Sequence, residues 1–218
     1  RSSLRAWHKQ AKKVKLNAPT HAICCYPKLD GFINGMADLI KPIYEKSQAM
    51  GATKLLFSAH GLPQKIVDGG DPYQWQVEQT ASAIVDKLKI KNLEWQVCYQ
   101  SRVGPLQWIG PSTDDVIIDT GKAKKNIVLC PIAFVSEHSE TLVELDIEYR
   151  HLAEEQGVPH YFRVPTVSCH DEFIQGLANM VLNGMNSDKN ISVTSNQNKR
   201  ICPKEFCGCA MPVTEQIS

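Results

Sequence analysis

The stretch IVLCPIAFVSEHSETLVELDIEY, residues 127–149, joins two kinds of sequence without a break. Its first part is a near-continuous apolar run, the pattern of a strand covered on both faces. Its second part carries Glu137, Glu140, Glu144, Asp146 and Glu148, with Leu142, Leu145 and Tyr149 interleaved at helical spacing. A strand of that kind leading straight into an amphipathic helix is one half of a βαβ crossover, and crossovers imply a parallel sheet. Outward in both directions the alternation repeats. Strand-like runs fall at His21–Tyr26, Lys54–Ser58, Trp95–Ser101, Asn126–Phe134 and Tyr161–Val167. Helical patterns separate or follow them at about 29–50, 72–90, 112–124, 138–156 and 171–185. The expected architecture is α/β: a doubly wound parallel sheet flanked by helices, Rossmann-like, with a cysteine-bearing tail. The stretch from about Asn186 to Arg200 is rich in Asn, Ser and Lys and reads as a loop or mobile connection.

Composition narrows the function. The chain has 218 residues and a formal net charge of +1, which points away from a nucleic-acid binder or an acidic disordered tail. Its longest apolar run, Ile127 to Val135, is interrupted by Pro131 and falls far short of the ~20 residues that cross a bilayer. With no signal peptide in view, a soluble protein is expected. The opening RSSLRAWHKQAKKVKL is basic and free of acids. It reads as a surface helix continuing from something upstream, with a mitochondrial presequence as the alternative. The eight cysteines divide by context. Cys98 and Cys130 sit in strand-like runs as buried thiols, whereas Cys202, Cys207 and Cys209 crowd together near the C-terminus, where metal binding gains weight.

Sheets of this class bind ligands beyond the carboxyl ends of their strands. Three unusual polar stretches lie there: LLFSAH ending in His60, VCYQSR leading to Gly104-Pro105, and IAFVSEH ending in His138. Gly61 after His60 permits close approach of a ligand, and Pro63 fixes the exit of the turn. In GGDPY, Asp71 is the expected helix N-cap and Pro72 the first helical residue. The two Gly-Pro pairs of YQSRVGPLQWIGP set an irregular loop around Trp108, a wall for a flat apolar ligand or a satellite cluster under the loop. Arg102 either pairs with a carboxylate or snorkels.

With about 100° per residue, Glu137, Glu144 and Glu148 fall within about 80° of Glu140, while Leu142, Leu145, Tyr149 and Leu152 form the adjacent apolar stripe. A solvated acidic face is one reading of that row. The other rests on His138, next to the acids at a strand end, where imidazole and carboxylates together relay protons or receive a divalent cation.

These residues resemble a known family. FSAHGLP, the GDPY turn, YQSRVGPLQWIGP and PIAFVSEHSETLVELDIEY look like ferrochelatase, in order and with similar spacing, from Ser2 to about Gly184. The likeness is to the C-terminal portion of the bacterial type. It implies a chelatase-like α/β fold and a lyase of haem biosynthesis that inserts ferrous iron into protoporphyrin IX to give protohaem. By the same likeness His60 is the active-site histidine that binds metal or accepts a pyrrole proton, and Glu140 is the essential carboxylate facing it. His138, Glu144 and Glu148 form an acidic path, and Ser101, Arg102 and Trp108 belong to the porphyrin pocket. Tyr99 stands where some relatives have tryptophan, and Glu137 where some have aspartate. Family members carry a further N-terminal domain that closes the cleft. Residues 1–20 are therefore expected to be a remnant of that domain or a connecting helix, 21–186 the C-terminal α/β domain, and 187–218 the tail.

Many ferrochelatases hold a [2Fe–2S] cluster through three C-terminal cysteines and one earlier. Here Cys202, Cys207 and Cys209 would be joined by Cys24 or Cys25, with Cys24 preferred; zinc on the same thiols and uncoordinated thiols are the alternatives. The resemblance further implies a cytoplasmic location with peripheral membrane association (a mitochondrial matrix location being the alternative) and a homodimer. Competing functions are a chelatase for cobalt or coproporphyrin, and a haem- or metal-carrying module without turnover.

Overall fold

A computed structural model of the chain describes residues 2–186, 191–197 and 199–211. In chain order the elements are α1 (Ser2–Lys13), β1 (Thr20–Cys25), α2 (Asp30–Met50), β2 (Thr53–His60), α3 (Gln64–Asp68), α4 (Tyr73–Leu88), β3 (Trp95–Gln100), α5 (Thr113–Lys122) and β4 (Asn126–Pro131). A π-helix (Glu140–Glu148) then runs directly into α6 (Tyr149–Glu155), followed by β5 (Tyr161–Arg163), α7 (Asp171–Met185) and β6 (Ile191–Ser195).

Four strands form a parallel sheet in the order β3-β2-β4-β5. The chain leaves β2 toward β3 on one side, then crosses back to place β4 on the other. Strand order therefore reverses between β2 and β4, and the sheet has its switch point at their carboxyl ends.

The period of two in β2 explains why both faces are covered. Leu55, Phe57 and Ala59 point to one side, where Met36, Ile40, Tyr44, Ala81 and Ile84 from α2 and α4 meet them. Leu56 points to the other, where Cys98, Ile127 and Leu129 join Ile117 of α5 and Leu145, Tyr149 and Ala153 of the acidic helix. Each such fully buried aliphatic side chain contributes roughly 1.5–3 kcal/mol relative to exposure. Among the described residues, no helix is long and apolar enough to cross a membrane.

Several expected boundaries move, each for a visible reason. β4 stops at Pro131 rather than Phe134: proline withdraws a ladder donor, and after Ile132 N–H bonds the Ser58 carbonyl at 3.0 Å the chain turns away. β5 is three residues long because Glu137 engages both Arg163 and the Thr166 N–H just beyond it. The segment expected as the first strand of the main sheet, β1, instead makes a separate parallel pair with β6. β1 is only half-buried and leaves Ile23 36% exposed, unlike the central strands β2 and β4. β6 lies inside the stretch expected as a loop or mobile connection. The alternation Ile191-Ser192-Val193-Thr194 is a strand pattern that the polar residues around it conceal.

Candidate active site

His60 is the last residue of β2 and stands at the switch point of the sheet. Its Nδ1 lies 2.8 Å from the Gly61 carbonyl. In the neutral ring that contact requires the Nδ1 proton to be donated, which leaves Nε2 with its lone pair exposed. Nε2 faces Glu140, whose Oε2 is 3.7 Å away, and both side chains are partly open to solvent, at 44% and 41% exposure. Glu140 Oε2 is itself shielded and accepts no hydrogen bond from the described residues. An imidazole lone pair and an unused carboxylate oxygen thus meet at one open mouth, an arrangement able to accept protons or to hold a cation.

Glu140 is placed by the turn that precedes it. His138 Nδ1 accepts the Glu140 N–H at 3.1 Å, and Thr141 Oγ1 both accepts from His138 N–H at 2.9 Å and donates to the His138 carbonyl at 3.1 Å. The His138 ring also meets Phe134 edge-on, with centroids 4.5 Å apart. His138 in this arrangement ties the helix start together, with Nδ1 already engaged.

The helix that carries the acids opens as a π-helix rather than the regular helix assumed from spacing. Its i→i+5 bonds widen the turn and redistribute the side chains. Leu142, assigned to the apolar stripe, is exposed, and Thr141 is buried instead, while Leu145 and Tyr149 pack against the sheet as expected. Glu137 lies ahead of the helix and does not share its face.

Glu144 is heavily engaged. It accepts from Ser101 N–H at 2.8 Å, Ser101 Oγ at 2.5 Å, Gln100 Nε2 at 3.2 Å and Tyr149 O–H at 3.2 Å. Ser101 adopts a left-handed backbone, φ +57°, which is uncommon for a residue with a side chain and turns its N–H and hydroxyl together toward this carboxylate. Burial, with the carboxylates of Asp114 and Glu144 adding to it, pushes the Tyr149 phenol far up, so it remains a donor. Glu148 lies further along, in a polar cleft of about 560 Å³ whose lining includes Arg102, Trp108, Asp114 and Glu144.

Gly61 joins this cleft to the histidine. A Cβ there would lie 2.8 Å from the Gln100 carbonyl, 3.2 Å from Arg102 Cγ and 3.3 Å from Trp108 Cε3, so the tight passage requires glycine. The Trp108 loop is fastened to the exit of β2 by Ile109 N–H to the Leu62 carbonyl (3.0 Å) and Gln64 N–H to the Gln107 carbonyl (2.8 Å). Val103 and Leu106 at its tip are exposed.

Two supports were not anticipated from the sequence. Tyr73, in the first turn of α4, donates its hydroxyl to the His60 carbonyl at 3.0 Å; burial, then the nearby Glu140 carboxylate, pushes that phenol up to about 12. Asp71, expected to cap α4, accepts the Tyr73 N–H at 2.9 Å, with Pro72 one residue ahead of the helix. Arg163 pairs with Glu137 at 2.9 Å and Asp146 at 3.2 Å, and Arg150 holds Asp146 at 2.8 Å. A tyrosine after Asp-Pro carries a hint, since a ring at the start of an apolar helix brings a polar tip inward. The arginine partners had no local signal.

The thiols gather apart from this pair. Cys24 and Cys25 Sγ are 3.3 Å apart. The Cys25 thiol is pushed up by its hydrogen bond with Cys24, then by burial, with Cys202 and Cys209 close enough to add to the effect. Gln76 Nε2 donates to Cys202 Sγ at 3.2 Å, and Cys207 Sγ donates to the Gly69 carbonyl at 3.4 Å. Among the described residues, no three His, Cys, Asp or Glu side chains converge closely enough to hold a metal ion.

Comparison with known proteins extends beyond geometry. The ferrochelatase family model matches residues 1–185. The ferrochelatase of Pelagibacter ubique (strain HTCC1062) is 47% identical over 208 residues, covering 95% of this chain and 59% of its own length. That of Rickettsia bellii (strain OSU 85-389) is 48% identical over 196 residues, covering 89% of this chain and 54% of its own. The chain therefore spans a little over half the length of these relatives. A solved multi-domain protein of Deinococcus radiodurans, DR2241, described as structurally similar to chelatases, aligns at a TM-score of 0.42 with 16% identity, over 72% of this chain and 30% of its own. A match across residues 1–185 and high identity to several curated relatives establish the kinship: this chain belongs to the ferrochelatase family.

Proposed function

We propose that the protein containing this chain inserts ferrous iron into protoporphyrin IX, with residues 21–186 as its C-terminal α/β domain, 1–20 leading into it and 187–218 as a tail. The observation that carries this reading is the approach of His60 Nε2 to Glu140 Oε2, 3.7 Å, at the switch point of the sheet and beside a wide cleft, in a chain of this family. Metal insertion replaces two pyrrole protons with one divalent cation. A flat ring resists this, because its nitrogen lone pairs lie in the plane and two are blocked by protons. Ser101, Arg102 and Trp108 would seat the macrocycle against the fixed loop. His60 Nε2, whose lone pair is kept available by the Nδ1 contact to Gly61, and Glu140 would accept the protons or pass the iron. Glu144, already holding Ser101, would fix the pocket edge to the acidic helix, and Glu148 would continue the path.

A [2Fe–2S] group takes four thiolates, and cysteines of that number lie in this part of the molecule, but the described residues do not bring three of them together, so the cysteines would have to draw closer to hold it. Cys202, Cys207 and Cys209, with Cys24 or Cys25, would hold it, and electron storage is what such a group supplies. Visible absorption with iron and sulfide analysis of anaerobically purified protein tests this assignment: absence of inorganic sulfide would rule it out.

The function is tested by anaerobic insertion of iron or zinc into protoporphyrin by the full-length protein. His60→Ala and Glu140→Gln are each expected to lower kcat by about 10²–10⁴-fold, the usual contribution of a positioned proton acceptor. Wild-type turnover by either variant would overturn the reading.

A further inference from the structure

The cysteine loop and the candidate histidine rest on the same support. Asp71 fixes the first turn of α4 by accepting the Tyr73 N–H at 2.9 Å, and Tyr73 reaches across to the His60 carbonyl at 3.0 Å. The turn that feeds this helix, Gly69-Gly70-Asp71, is in turn covered by the loop that carries the C-terminal thiols. Gly208 N–H donates to the Gly70 carbonyl at 2.9 Å, and Cys207 Sγ donates to the Gly69 carbonyl at 3.4 Å. Two more residues of the same helix turn engage the loop: Trp75 packs on Phe206 with ring centroids 5.9 Å apart, and Gln76 donates to Cys202 at 3.2 Å.

The junction leaves no slack. Gly70 has φ +89°, and a Cβ on it would lie 2.6 Å from Cys207 Sγ. A Cβ on Gly208 would lie 2.7 Å from the Gly70 carbonyl oxygen and 3.0 Å from Asp71 Cα. The loop is itself drawn tight around Arg200, which donates to the carbonyls of Cys202 (2.9 Å), Pro203 (2.9 Å), Phe206 (2.8 Å) and Met211 (2.5 Å). A firm body thus presses on a turn that has no room to absorb movement, and two residues later the chain carries the hydroxyl that holds His60.

The geometry points to Tyr73 as a positioning residue for His60, and to the Arg200–Met211 loop as the part that sets where Tyr73 stands. A displacement of the loop is thereby conveyed to the histidine through the Gly69–Tyr73 turn. This rests on His60 and Glu140 being the metal-handling pair proposed above. Other supports of His60, such as its Nδ1 contact to Gly61, are made within the β2 exit and do not touch the loop.

The test uses the full-length protein with isotope-labelled histidine, titrated with zinc alone and followed at the His60 imidazole signals. These signals report binding at that residue even when thiols elsewhere take up metal. Glu140→Gln should weaken zinc binding at His60; if it does not, the pair is not a metal site, and both readings fall. Given that result, Tyr73→Phe is expected to move the His60 signal before any zinc is added and to weaken binding about tenfold, since misplacing a positioned group by a fraction of an ångström already costs heavily. In turnover it should lower kcat with KM for porphyrin unchanged. Gly208→Ala should weaken zinc binding at His60 in the parent, yet add less than about twofold in the Tyr73→Phe background, as expected for two changes acting through one connection. Phe206→Ala, which loosens the loop without inserting an atom, should repeat the pattern at smaller size. An unchanged His60 signal and affinity in Tyr73→Phe, or an equal loss from Gly208→Ala in both backgrounds, would overturn the proposal.

Discussion

His60 and Glu140 differ from the surrounding polar residues in having reactive atoms left unused. His60 spends Nδ1 on Gly61 and keeps Nε2, while Glu140 Oε2 takes no hydrogen bond from the described residues. Glu144 is the opposite case, with four donors on one carboxylate. Glu144→Gln is accordingly expected to cost stability, about 1.5–3 kcal/mol for lost charge-assisted hydrogen bonds, measured by urea unfolding. Gly61→Ala should act on function more than its size suggests. The added methyl would strike the Gln100 carbonyl at 2.8 Å and part the Trp108 loop from β2, so a cost of about 1–3 kcal/mol and a fall in porphyrin affinity are expected, read by unfolding and fluorescence quenching. At this scale much was legible. A histidine before Gly-Leu-Pro at a strand end and acids after the next strand mark where polar groups converge. Leu142 departs from the expected stripe because helical spacing alone does not reveal a widened turn, and Arg163 gave no local signal because its two partners lie 26 and 17 positions earlier in the chain.

At the scale of elements, the approach to the acidic helix is clamped by the short strand β5. Arg163 spans Glu137 ahead of the helix and Asp146 within it, and Glu137 also accepts the Thr166 N–H at 2.9 Å. Burial works to raise the Glu137 carboxyl, but hydrogen bonds from Thr141, Thr166 and Arg163 prevail and hold it below the ordinary range. For Asp146, too, burial is outweighed, here by Arg150 and Arg163. A carboxyl depressed in the folded state contributes stability above its unfolded pKa, roughly 4, and loses it as pH falls through the lower folded value. The protein should therefore lose stability progressively below about pH 4. Arg163→Met should flatten that acid limb and lower stability at neutral pH by about 2 kcal/mol, measured by unfolding across a pH series. Strand positions were readable because apolar runs of this length between amphipathic stretches have few other solutions. β6 was not, because its five residues are outnumbered by polar neighbours and its partner is the distant β1.

For the whole molecule, the sheet order β3-β2-β4-β5 brings the ends of β2 and β4 side by side, and with the turn at His138 it makes neighbours of residues 60 and 140. The chain spans only part of its relatives, 59% of the Pelagibacter protein and 54% of that from Rickettsia bellii. If the proposed function holds, residues 1–218 are expected to insert metal far more slowly than the same chain joined to the remaining part of its relatives' length, because an open cleft admits water freely. Side-by-side assay under anaerobic conditions checks this. The pairing of β1 with β6 has a further effect during synthesis. Thr20 and Ile191 meet across most of the chain's length, so the ribosome exposes the edge of β1 long before its mate exists. Until then those amides and carbonyls can accept a strand from any neighbouring nascent copy. Slow translation between the two segments should favour intertwined dimers, and a chaperone that shields residues 20–25 should suppress them.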